Sequence, residues 1–113
     1  MLSQLHAYPT LILSVVKYEH RLKESVEQFK AVVELVDGSY LRINEVWIKG
    51  ALEKYAYYWL TPTGAVIQGW DNAPHHPKIN TFPHHTHKKD EVESSQVRSL
   101  TGVLDFLWQK IGG

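Results

Sequence analysis

Hydrophobic and polar positions alternate along the first half of the chain. From Val16 one side carries Val16, Tyr18, His20 and Leu22, and the other carries Lys17, Glu19, Arg21 and Lys23. A period of two with the charge on one side predicts a half-buried strand, with His20 as a core histidine. The pattern resumes with Phe29, Ala31, Val33 and Leu35 inward and Lys30 and Glu34 outward. Asp37-Gly38 follows, a dipeptide suited to the positive φ angles of a tight hairpin. The return segment YLRINEVWI puts Leu41, Ile43, Glu45 and Trp47 on a single face before Lys49-Gly50 breaks it. KYAYYWL, ending at Leu60, predicts a fourth strand, TPTG a turn, and AVIQGW a fifth. Short strands joined by tight turns form an antiparallel meander with one covered face.

The cover is expected at the C-terminal end. Leu100, Val103, Leu104, Leu107, Trp108 and Ile111 recur with the helical period, Ser99 is suited to the N-cap and Gly112 to the stop. The expected fold is therefore α+β, an antiparallel meander sheet of about five strands covered on one face by a C-terminal helix. A long His/Pro-rich loop separates the two. At 113 residues the chain has room for one domain and one core, so residues 1–113 are read as a single domain.

Composition narrows the function. Lys plus Arg and Asp plus Glu are 12 each, so no global field advertises nucleic acid or membrane. The absence of cysteine excludes disulfides, thiolate metal sites and a thiol nucleophile, and suits the cytoplasm. No signal-peptide pattern opens the chain, and no apolar run approaches the roughly 20 residues that span a bilayer.

The candidate chemistry is concentrated in WDNAPHHPKINTFPHHTHKKDE, Trp70 to Glu91, where Pro74, Pro77 and Pro83 block regular structure. Adjacent residues of extended chain point opposite ways, so His75 and His76 do not easily serve one site, whereas His85 and His87 share a face with His84 turned away. A site is expected from His85, His87 and one of His75 or His76. Two imidazoles can act as base and acid on RNA without a metal, with Arg42, Lys78, Lys88 or Lys89 neutralising phosphate charge. Asp71 either starts a turn or orients a histidine through its second ring nitrogen. Glu45 breaks the apolar face of its strand. It is either paired with a cation, used to orient or exchange a proton, or near enough the strand end to reach solvent. No recognised zinc spacing is present and no cofactor motif occurs, so neither metal nor cofactor is expected. The absence of an acid between Asp71 and Asp90 favours an anionic substrate over a divalent cation. A zinc-binding protein, or a non-catalytic module docking a partner through the same loop, remains the alternative.

The segments YAYYW, WDNAPHHP and TFPHHTHKKDE, after a DGSYLRINE hairpin, together resemble the TumE family of toxin–antitoxin proteins. The likeness runs from about Phe29 to the C-terminal helix, and the pair D-N-A-P-H-H and F-P-H-H-x-H is far more specific than histidine richness alone. The resemblance implies a small toxin neutralised by a cognate antitoxin that carries a DNA-binding helix-turn-helix. The family's aromatic motif reads Y-x-Y-H-W, which places histidine where this chain has Tyr58, so the resemblance implies either altered activity or Tyr58 substituting as a proton donor; Tyr58 is also a candidate substrate-binding residue. RNA is the expected target by chemistry and by analogy with other small toxins. A homodimer is compatible with everything above.

Overall fold

The computed structural model describes residues 1–112. Its class is the expected one, with a larger sheet. Seven strands follow in sequence order, each antiparallel to the next. They are β1 Ile12–Lys23, β2 Val26–Leu35, β3 Tyr40–Ile48, β4 Ala51–Leu60, β5 Val66–Asp71, β6 His85–Lys88 and β7 Glu91–Ser94. A short helix α1, Leu2–His6, precedes the sheet. Helix α2, Leu100–Leu107, follows it and runs into a wider π turn over Trp108–Gly112. No described helix is long and apolar enough to cross a membrane.

Turn chemistry sets the pairing. Lys49 and Gly50 take positive φ angles of 50° and 80°, as a two-residue type I′ turn requires, and its twist matches the strands it joins. The pair that interrupts the alternation is thus the hairpin itself. Cross-strand partners then define two faces. On one, Ala31, Ile43, Tyr57, Trp70 and Thr86 form a row beside Val33, Leu41, Trp59 and Gln68. Leu100, Val103, Leu104 and Leu107 of α2 bury against this face with Leu5 and Leu11. Each aliphatic side chain withdrawn from water there contributes about 1.5–3 kcal/mol. The Ser99 hydroxyl accepts from Gly102 N and so caps α2. Gln4 donates to Thr101 and Tyr8 to Asp105, fastening the N-terminal segment to the helix.

Four expectations change. First, β1 begins at Ile12 and carries two bulges, at Leu13 and Val16, where two residues of β1 oppose one step of β2. Each bulge turns its extra residue outward, so Val16 is 59% exposed rather than inward. Second, His20 is not a core histidine. It lies beyond the helix, exposed, paired with Glu27 at 2.7 Å and stacked on Phe29. Third, the histidine-rich segment is not one loop, because its second half is the β6–β7 hairpin, turned at Lys89 with φ 57°. Fourth, α2 ends at Leu107, and Trp108 is exposed at the flank of the apolar stripe, donating to Thr10.

Candidate functional site

The sheet's second face, away from α2, carries the chemistry. Val32, Arg42, Tyr58, Gly69 and His87 are successive partners from β2 to β6, and Lys30, Asn44, Ala56, Asp71 and His85 form the adjoining row. Strand register alone therefore brings Asp71, His85, His87 and Tyr58 together. The segment from Asn72 to His84 returns along this face and sets His76 against both imidazoles, with ring centroids 5.0 Å from His85 and 5.9 Å from His87. That return is anchored at both ends. Asn72 accepts from Tyr55 N and donates to Glu53 O, each at 3.0 Å. Thr81 accepts from Ser95 N at 2.8 Å.

Asp71 is the hub. Its Oδ1 lies 2.8 Å from His85 Nε2 and its Oδ2 lies 3.2 Å from His87 Nε2. Oδ2 also accepts from the Tyr58 hydroxyl at 2.9 Å, and Oδ1 from Ala73 N at 3.0 Å. One side chain thus closes the turn and touches both histidines. His85 Nδ1 faces the Pro83 carbonyl at 2.9 Å. A carbonyl only accepts, so Nδ1 carries a proton, and Nε2 is the nitrogen directed at Asp71 and, at 3.0 Å, at His87 Nε2. His85 and Asp71 are nearly closed off, at 2% and 7% exposure, whereas the His87 side chain is 29% exposed.

Gly69 makes this arrangement possible. A Cβ there would fall 2.3 Å from Tyr58 Cε1. Its absence lets the Tyr58 ring lie over the backbone and present its hydroxyl to Asp71. Burial first, then the hydrogen bond and charge of Asp71, push the Tyr58 hydroxyl up to about 12, against the opposing pull of Arg42. Tyr58 is thus a fixed hydrogen-bond donor near neutrality. The Arg42 guanidinium sits 5.4 Å from its ring centroid.

The other candidates lie apart from this cluster. Glu45, 3% exposed, is on the helix-covered face. It is neither paired with a cation nor solvated, and accepts from Tyr57 at 2.6 Å and Trp47 Nε1 at 3.0 Å. Two neutral donors suffice for it. Lys88 alternates away from His87 at the sheet margin, Lys89 occupies the β6–β7 turn, and Lys78 is exposed on the connecting segment. His75 is exposed and borders a neighbouring cleft rather than the cluster. His84 turns to the covered side, where its Nδ1 is hydrogen-bonded with the Tyr55 hydroxyl at 2.8 Å. Burial, then the Arg98 charge, lower its pKa. Gly69 escapes the sequence reading, although a glycine inside a strand is itself a sign of close approach.

Donor nitrogens of His76, His85 and His87 lie within 4.8 Å of one another. Three imidazoles are a set that zinc would accept, and the Pro83 carbonyl supplies the outer hydrogen bond usual for such a ligand. No curated protein and no solved structure matches the chain. A family model described as Toxin TumE matches residues 2–113. The chain therefore belongs to the TumE family, the toxins of toxin–antitoxin systems.

Proposed function

We propose that the chain cleaves single-stranded RNA by a metal-independent transesterification on the open face of its sheet. A neutralising antitoxin, expected to be a helix-turn-helix protein, restrains this activity. The observation that carries the reading is the gradation of burial within one side-chain cluster, from His85 and Asp71 inside to His87 and His76 nearer the surface. A carboxylate offers no proton, so the 2.8 Å contact is a hydrogen bond only when His85 Nε2 donates to Asp71. The buried pair holds His87 in place, and both are positioning residues. His87 and His76 reach solvent and exchange protons with substrate. One imidazole takes the 2′-hydroxyl proton as the O2′–P bond forms. The other protonates the O5′ leaving group as the P–O5′ bond breaks, leaving a 2′,3′-cyclic phosphate and a 5′-hydroxyl. Arg42, stacked near the Tyr58 ring on this face, is the cation for the phosphate charge.

Incubation of the isolated chain with single-stranded RNA in chelator tests this. Cyclic-phosphate ends should appear with wild type and fall roughly 100-fold or more with His87→Ala, the usual scale of general acid–base catalysis. No cleavage, or equal cleavage by both, removes the assignment. A second reading rests on the converging imidazole nitrogens. Under it, zinc occupies the cluster, and cleavage is lost in chelator and restored by added zinc.

A further inference from the structure

On the open face, over β1 to β4, lies a hollow of about 350 Å³ lined by three cations, Lys17, Lys30 and Arg42. All three are exposed, and no carboxylate lines the space. Register brings them together. Lys17 and Arg42 are both partners of Val32, one from each side, and Lys30 lies two residues along β2, diagonal to each. Diagonal neighbours are about 7–8 Å apart, within reach of long side chains and about one screening length, so the cations act on an anion together. None of the three forms an ion pair among the described residues. Glu19, directly across from Lys30, turns instead to Arg21 at 3.4 Å. Formal charges balance over the whole chain, yet this part of the open face is positive. Tyr58 joins the hollow to the imidazole cluster, since it lines the space and stacks on His87 with ring centroids 6.4 Å apart.

We infer that Lys30 and Lys17 hold the phosphates that flank the reacting one, so that a single RNA strand lies across the sheet from β6 to β1. One row of register partners marks the path, running His87, Gly69, Tyr58, Arg42, Val32, Lys17. Its ends are five strand spacings apart, about 24 Å. That length suits roughly four nucleotides, the short end of single-strand site sizes. Arg42 serves the reacting phosphate, and the two lysines serve its neighbours on one side. Cations that meet phosphates position a strand without reading its bases, so the track takes any sequence. Placing the reacting phosphate at the imidazoles rests on the ribonuclease reading, whereas binding along the track can be measured without any cleavage.

The test is fluorescence anisotropy of the full chain with labelled 2′-O-methyl oligouridylate and oligoadenylate, which lack the attacking hydroxyl, over a range of salt. Unmodified RNA is incubated in parallel. Losing one phosphate contact should lower the slope of log affinity against log salt by about 0.7. Lys17→Ala and Lys30→Ala should each do so, and each should weaken both oligomers alike. Lys110→Ala removes the same charge beside Phe106, on the helix-covered side, and should leave the slope unchanged. No binding, a slope indifferent to both lysines, or an equal fall with Lys110→Ala would overturn the inference. So would oligoglutamate that competes as well as unlabelled oligouridylate, because the cations would then serve an acidic protein segment. Lysine-dependent slopes without cleavage of the unmodified RNA would uphold the track and defeat the ribonuclease reading. Cleavage with slopes indifferent to both lysines would do the reverse.

Discussion

A single methyl group placed on Gly69 would collide with the Tyr58 ring at 2.3 Å. Gly69→Ala should therefore displace Tyr58 and loosen the Asp71 hub, costing about 1–3 kcal/mol of stability by overpacking. Tyr58→Phe should cost about 1.5 kcal/mol by removing one hydrogen bond to a charged group. Urea melts order the two, and RNA cleavage should fall further with Gly69→Ala, which disturbs His87 as well as Asp71. Tyrosine also sets the alkaline limit. Burial first, then nearby carboxylates, hold Tyr55 and Tyr58 up at about 12 and raise Tyr57 as well. In the unfolded chain these groups ionise near 10, so between about pH 10 and 12 only the unfolded state sheds protons and stability falls. Urea midpoints that stay level across that window would contradict this. At this scale the shared face of His85 and His87 was legible, because alternation fixes it. The choice of His76 over His75 was not, since a segment rich in proline has no period to read. Glu45 was misjudged because a pattern assigns a face but cannot name the partners, here Tyr57 and Trp47.

Strands β2 to β5 could be read because one of their faces is apolar and the other polar. Strands β6 and β7 could not. At the sheet margin, HTHK and EVES offer polar residues to both sides, and the period-two contrast vanishes. Helix α1, five residues long, is too short to display a period. The bulges of β1 give the sharpest element-level prediction. Alternation puts Val16 inside, whereas the register turns it out, so Val16→Lys should change stability by less than about 0.5 kcal/mol. Val33→Ala, at a fully buried position of β2, should cost about 1–3 kcal/mol by the logic of large-to-small core substitutions. Denaturant midpoints of the two variants decide between register and alternation.

The whole molecule is a sheet with one face consumed by packing and the other left for function. Family membership brings an antitoxin partner, and the open face is where covering the molecule would also cover the imidazoles. His87→Ala should thus abolish cleavage while the complex still forms, as size-exclusion chromatography with the antitoxin would show. Loss of the complex with this variant would make the histidines docking groups instead. The meander has a consequence for synthesis. Spatial order equals sequence order, so each strand can join the sheet as the ribosome releases it, without waiting for a distant partner. The scaffold through β4 is complete before Asp71 exists, and His85 and His87 arrive only with the sixth strand. At ordinary translation speeds the interval is on the order of seconds. A sheet that paired during it would present a surface without the cluster, its apolar face still waiting for α2. An antitoxin able to grip β1 to β4 would meet its target unarmed, and folding-force measurements on stalled nascent chains would show whether that intermediate sheet forms.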